Sequence, residues 1–364
     1  MYDVIIIGAG PAGTATGYDL SMAGLSVLIL DRRTFPRKKA CAGGITPKAM
    51  NVFAYDISGQ IERVCREVRV CRPGGRSFTV REKVPLCYMT RRERLDSFSL
   101  NKAVSVGSRF LAVSRLCRIS QTDRSVAVHT SDSCFTGRYL IGADGANSKV
   151  RQLAARPGNP YRVRKYPALE ADVAVDPEHF PMEFDFSQGL PGYYWIFPKK
   201  DYVNIGIFAA PGSRAVTTGH LAAYAQKRLG NDRLCNIKGY PIGSGGSYGF
   251  PAQRPGTGRI LLAGDAAGFA EPLLGEGIYF ALKSGRLAAA SIIRAIQDGG
   301  NALDAYHLSL ARTRTDLRLY GLAASILYRF PGPSLGLARH RLMHSRFSKG
   351  YAAGLPLSRI LFPF

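Results

Sequence analysis

The chain is short of acid, has a single tryptophan, and its seven cysteines (Cys41, Cys65, Cys71, Cys87, Cys117, Cys134 and Cys235) include no Cys-x-x-Cys pair. An odd number without that spacing offers neither a disulfide framework nor a zinc site, so no metal is expected and a reducing, cytoplasmic setting fits. No apolar run approaches the roughly 18 to 20 residues that span a bilayer. No charged segment followed by an apolar one opens the chain, because a strand already begins near residue 3. A soluble or membrane-peripheral protein is expected. Helix-turn-helix, zinc-finger and RNP-type patterns are also lacking and the basic residues are spread out, which argues against a nucleic-acid partner. Repeats and low-complexity tracts are absent, and 364 residues can hold about two domains with a large core.

Positive charge is what the chain has in excess. Against 26 Asp and Glu stand 49 Lys and Arg, a net +23. Such a field favours an anionic partner, whether a phosphorylated substrate, an acidic redox protein or an anionic membrane surface. Arg32, Arg33, Arg37, Lys38 and Lys39 crowd one stretch, and residues 317–364 carry seven Lys or Arg without one acid.

At the N-terminus the β-branched run Val4 to Ile7 reads as a strand buried on both faces, and it leads into Gly8-Ala-Gly10-Pro11-Ala12-Gly13 and a helix reaching Ala23. Gly8 suits a tight turn, Gly10 lets a pyrophosphate approach the backbone, and Gly13 lets helix and strand pack closely. A second strand, Ser26 to Leu30, delivers Asp31 at its end, 18 residues beyond Gly13, near the spacing of a ribose-binding carboxylate. Strand, glycine turn, helix and acid together read as a dinucleotide site.

Two later segments repeat the theme. Tyr139 to Gly142 ends in Ala143-Asp144-Gly145 and runs on to Ser148 and Arg151; Asp144 is either a ligand or a turn-capping aspartate. Arg259 to Ala263 ends in Gly264-Asp265, and a turn through Pro272-Leu-Leu-Gly275-Glu-Gly277-Ile278 enters a helix expected over Glu276 to Ile296, whose positive end suits an anion. The chain therefore divides into a discontinuous cofactor domain (1–60, 88–155 and 253–310), a β-rich domain (61–87 and 156–252) and a basic helical segment (311–364). Within the second part, Tyr193 to Pro198 and Tyr202 to Phe208 read as a hairpin across Lys199-Lys-Asp201, with Tyr193, Trp195 and Phe197 on one face. Its strands are expected to form one sheet as a lid over the cofactor.

The three glycine motifs, in this order over nearly 300 residues, resemble FAD-dependent oxidoreductases of the para-hydroxybenzoate hydroxylase fold. That implies an α/β protein with a Rossmann-like FAD-binding domain, a β-sheet substrate or lid domain and a C-terminal helical segment. Three further features resemble the geranylgeranyl reductase family: Cys41-Ala42-Gly43-Gly44 after the basic run, Gly192-Tyr193-Tyr-Trp195-Ile-Phe197-Pro198, and the Pro272 to Ile278 turn. Two positions depart from the family pattern: Ala42 stands where glycine is common, and the proline expected at Leu190 is displaced to Pro191.

The resemblance implies that Asp31 and Arg32 lie at the adenosine, Arg92 near the pyrophosphate, and Asp265 with Gly264, Gly275, Gly277 and Ile278 at the ribityl and ring end. Cys41, Ala42 and Gly43 would lie at the flavin face, with Cys41 either delivering a proton or shaping the pocket. Tyr193, Trp195 and Phe197 would line an isoprenoid channel. The implied reaction is reduction of isolated C=C bonds of a prenyl chain. Such bonds are poor hydride acceptors, so the site needs reduced FAD, a proton source and a dry pocket. The electron donor is open between NADPH, NADH and a reduced redox protein. The substrate is hydrophobic, with room in the charge pattern for an anionic head group and for peripheral membrane contact. The alternative on this fold is a monooxygenase acting on an aromatic or peptide-borne substrate. With only Trp195 present, the paired tryptophans of flavin-dependent halogenases are excluded.

Overall fold

The computed structural model describes residues 1–155, 161–210, 213, 216–245 and 254–362. In chain order, the elements that build the site are β1 (Tyr2–Ile7), α1 (Pro11–Met22), β2 (Val27–Asp31), α2 (Arg92–Ser105), β3 (Cys134–Gly142) and β4 (Arg164–Val173). They continue with β5 (Gly192–Pro198), β6 (Val203–Ala209), β7 (Leu234–Ser244), β8 (Ile260–Leu262), α3 (Ile278–Gln297), α4 (Ala311–Arg329) and α5 (Arg341–Ala352).

Continuous apolar runs make the first sheet. Residues 4–6, 28–30 and 140–141 are completely buried, as strands covered on both faces must be. β8, β3, β1, β2 and Arg109–Ala112 lie side by side in parallel, with Ile6 opposite both Ile29 and Ile141. A hairpin of Leu116–Gln121 and Val126–Thr130 hangs antiparallel on β3. α1 and α3 pack against each other on this sheet, and the Thr16 hydroxyl donates to the Gly285 carbonyl at 3.0 Å. Gly13 is where α1 meets the β1 turn: a Cβ there would stand 1.8 Å from the Gly8 carbonyl oxygen. α3 starts at Ile278, two residues later than its sequence pattern predicts, because Glu271 takes the backbone N–H groups of Leu273, Leu274 and Glu276 and holds that stretch as a turn.

Alternating patterns make the second sheet, ordered β7, β4, β6, β5, Met182–Asp185, Glu67–Cys71, Ser77–Arg81. The predicted hairpin is present as β5 and β6, with Trp195 opposite Gly206. Glycine is required there, since the Trp195 ring covers Gly206 and a Cβ would come within 1.9 Å of it. Ile61–Cys65, expected in this sheet, pairs instead with Cys87–Thr90, whose other edge pairs with Gly44–Ile45, in a small third sheet. The junctions expected at 156 and 252–253 fall outside the described residues. The C-terminal helices α4, Pro331–Ala338, α5 and Leu357–Leu361 fold back onto the second sheet, where Leu327 and Leu335 join the aromatic core. Among the described residues, no helix is long and apolar enough to cross a membrane.

Candidate active site

A cavity of about 360 Å³ opens where the two large sheets and the C-terminal helices meet. Pro11, Asp265, Gly275, Gly277 and Ile278 contribute from the first sheet's loops, residues 39–44 from the basic loop, and Phe347, Tyr351 and Ile360 from the C-terminal helices. Alternation along β5 puts Tyr193, Trp195 and Phe197 on the cavity face, while Tyr194 turns the other way and packs at 4.4 Å on Tyr224. Phe184 and Phe208 complete the wall, with ring centroids 5.3 and 5.4 Å from Tyr193. The polar ends of Tyr193 and Trp195 are satisfied within the protein. Tyr193 donates to the Leu274 carbonyl at 2.5 Å, and the Trp195 ring N–H donates to Asn204 at 2.9 Å. This aromatic face is apolar, which suits a hydrocarbon and excludes water.

At the glycine turn, α1 begins without a side-chain cap, and a Cβ on Gly10 would meet only the Arg37 guanidinium, at 3.8 Å. Open space, free N–H groups and a cation at a helix N-terminus form an anion site, so Gly8, Gly10, Pro11, Ala12 and Gly13 fit a pyrophosphate. Asp31 stands at the end of β2 with its carboxylate fixed by the N–H groups of Ala9 (2.8 Å) and Arg33 (3.0 Å), where it fits a ribose. Arg32 beside it is exposed. Asp265 is half-buried; desolvation pushes its carboxyl up, against the pull of nearby Lys39. Gly277 lies against it so closely that a Cβ would stand 3.1 Å from Oδ1. Gly264 donates its N–H to the Ser284 hydroxyl and shapes the same turn. Asp144, in contrast, faces its own loop: it accepts from the Ser148 hydroxyl and from the Lys149 and Val150 N–H groups. Ser148 caps the following short helix, Asp144 takes that helix's first two N–H groups, and Asp144 does not line the cavity.

Cys41 lines the cavity with Ala42 and Gly43. Its sulfur accepts from the Gly43 N–H at 3.4 Å and touches the Arg92 guanidinium. Arg92 opens α2 and is held by a two-point pair with Asp96, both contacts 2.8 Å, with Arg37 3.2 Å from the same carboxylate. Burial favours the neutral form of Asp96, but the adjacent Arg92 wins and holds its carboxyl below the ordinary range.

Several residues that frame this site give no sequence signal. Lys199 reads as an exposed turn residue of the hairpin. It is 2% exposed, and its ammonium donates to the carbonyls of Ala42 (2.5 Å) and Thr90 (3.1 Å), tying the Cys41 loop down. Desolvation lowers its pKa. Lys48, equally buried, pairs with Glu276 at 2.5 Å, and Glu276 also accepts from Thr46. This pair bridges the Cys41 segment to the Gly275–Ile278 turn. Glu271 and Glu170 both line the cavity, and burial pushes each carboxyl up to about 7.

A profile of FAD-binding domains matches residues 1–316. The chain belongs to the FAD-binding domain family. This flavoprotein is 35% identical over 302 residues to an uncharacterized protein of Methanosarcina barkeri, covering 82% of the chain and 76% of that relative. It is 27% identical over 304 residues to a digeranylgeranylglycerophospholipid reductase of Methanococcus vannielii, covering 81% and 77%. Its fold superposes with a TM-score of 0.83 on the crystal structure of a geranylgeranyl bacteriochlorophyll reductase-like protein from Thermoplasma acidophilum, at 19% identity and covering 99% and 94% of the two chains. The family resemblance read from the three motif groups is borne out, and the flavoprotein is an FAD-dependent oxidoreductase.

Proposed function

We propose that this oxidoreductase reduces isolated C=C bonds of a prenyl chain, with Cys41 giving the proton. The observation that carries this reading is the aromatic-walled cavity of β5, continuous with the Cys41 loop and with the Gly275–Ile278 turn of the FAD site. The name of the Methanococcus relative supports the substrate class. In this reading Gly8 to Gly13 and Asp31 hold the adenosine and pyrophosphate of FAD, while Asp265, Gly275, Gly277 and Ile278 hold its ring end. Bound and reduced, FAD supplies hydride. The protein's own residues do the rest: Tyr193, Trp195 and Phe197 fix the chain and exclude water, and Arg92 and Lys199 stabilise the thiolate that remains after Cys41 releases its proton.

An anaerobic assay with dithionite, NADPH or NADH and a panel of prenyl diphosphates, prenylated glycerophospholipids and quinones tests this. The product is expected to gain two hydrogens per reduced bond. Gain of one oxygen on admitting air, with the double bonds intact, would overturn it in favour of hydroxylation.

The same reading places the substrate at an anionic bilayer surface. Leu322 and Ile326 on α4 and Phe330 at its end recur every fourth residue and, with Leu337 on the next helix, are each at least 49% exposed. Arg318, Arg329 and Arg339 flank them, in a stretch without acids. Apolar side chains between arginines match an anionic interface. Sedimentation with phosphatidylglycerol vesicles is expected, weakening with added salt and lost in Leu322→Glu/Ile326→Glu, while turnover of detergent-dispersed substrate persists. Equal binding of the double variant would remove this surface from the reading.

A further inference from the structure

Glu170 is the unusual carboxyl of the cavity. It lies on β4, is 6% exposed, and lines the cavity beside Cys41. The other glutamates on the cavity wall are committed, Glu276 to Lys48 and Thr46 and Glu271 to three backbone N–H groups, while Asp265 accepts from the Gly243 N–H and has the Lys39 charge nearby. Among the described residues Glu170 forms no ion pair, and its carboxyl faces the backbone N–H of Cys41. A buried carboxylate with so little compensation is costly, whereas a carboxylic acid is tolerated there. The groups facing it are few. Lys238 stands opposite on β7 and Asp172 follows on β4, with Lys199 and Tyr202 at the turn between β5 and β6. The two lysines pull its pKa down and Asp172 pushes it up, but burial outweighs them and pushes the carboxyl up to about 7.

Resting on the prenyl-reductase reading, we propose that Glu170 is the proton reservoir of the site, returning a proton to the Cys41 thiolate after each reduction. Hydride from the reduced flavin forms one C–H bond, and the Cys41 S–H breaks to form the other. The Glu170 O–H then breaks as the S–H re-forms, leaving a carboxylate. That carboxylate takes its next proton from solvent on the side of β7, an edge strand where Lys238 lines the cavity and its neighbour Ile237 is exposed. Glu170 thus acts through Cys41, as a relay.

The test uses holoenzyme kept reduced with dithionite under anaerobic conditions, with product counted by rapid quench and mass spectrometry. Glu170→Gln should reduce the first double bond per site at the wild-type rate, since Cys41 begins protonated. It should then turn over roughly 10²-fold more slowly, with Glu170→Asp recovering part of the loss. Wild-type steady-state turnover should fall as pH rises through about 7, where the acid form is lost, and that limb should vanish in Glu170→Gln. Independently of turnover, infrared titration of the oxidised holoenzyme should show a protonated-carboxyl stretch that disappears over the same pH range and is missing in Glu170→Gln. Unchanged steady-state turnover and pH profile in Glu170→Gln, or a first turnover as slow as the later ones, would overturn the relay. If wild-type enzyme reduces no prenyl compound, the failure lies with the parent reading, and the infrared titration still decides whether Glu170 carries the proton.

Discussion

Cys41→Ala and Cys41→Ser are both expected to keep FAD and to accept electrons, while substrate turnover falls roughly 10²-fold to 10⁴-fold, the usual loss on removing a general acid. The sulfur sits at the cavity wall beside the Arg92 guanidinium and the Gly43 N–H, so the thiolate left by proton transfer meets a cation and a hydrogen-bond donor. Neither alanine nor a serine hydroxyl, a far weaker acid, replaces it. Stopped-flow absorbance follows flavin reduction and mass spectrometry follows product, which separates the two half-reactions. Cys41→Ser with near wild-type turnover, together with Cys41→Leu that changes which double bonds are reduced, would show that the residue only shapes the pocket. A defect confined to flavin reduction would likewise remove it from the proton step.

Gly10→Val should empty the protein of FAD without unfolding it. Gly10 has φ −84° and ψ −175°, ordinary for any residue, and its missing Cβ would meet no protein atom closer than 3.8 Å. The apoprotein should therefore melt within about 0.5 kcal/mol of wild-type apoprotein. The valine methyls instead occupy the space that a pyrophosphate needs at the start of α1. Gly13→Ala gives the contrast, because its Cβ falls 1.8 Å from the Gly8 carbonyl and the helix itself must move. Acid-released FAD, measured beside the thermal transition of the stripped protein, distinguishes the two. Full flavin content in Gly10→Val would mean that the pyrophosphate lies elsewhere.

What was readable in the sequence follows burial geometry. β1, β2 and β8 are covered on both faces and announce themselves as apolar runs, and β5 shows its cavity face through alternating aromatics. Residues whose role depends on where a distant backbone passes were not readable. Lys199 follows a strand in a polar Lys-Lys-Asp turn, and only the arrival of the Ala42 and Thr90 carbonyls makes it an anchor. Glu170 alternates with apolar neighbours like any half-exposed strand residue, and its burial is decided by the Cys41 loop from the other sheet. Asp144 shares the Gly-x-Asp-Gly appearance of a ligand-binding turn, yet the nearby Ser148 hydroxyl and Lys149 and Val150 amides take up its oxygens.

The C-terminal helices place part of the cavity wall beyond the stretch that matches the FAD-binding profile, which ends at residue 316. In the prenyl-reductase reading, Phe347, Tyr351 and Ile360 are a ruler held apart from the flavin machinery. Enlarging or shrinking these side chains is expected to alter how much hydrocarbon is accommodated while leaving the glycine turns and Cys41 as they are. Chain-length preference and redox chemistry would then be separable, and a lineage could retune the first without risking the second.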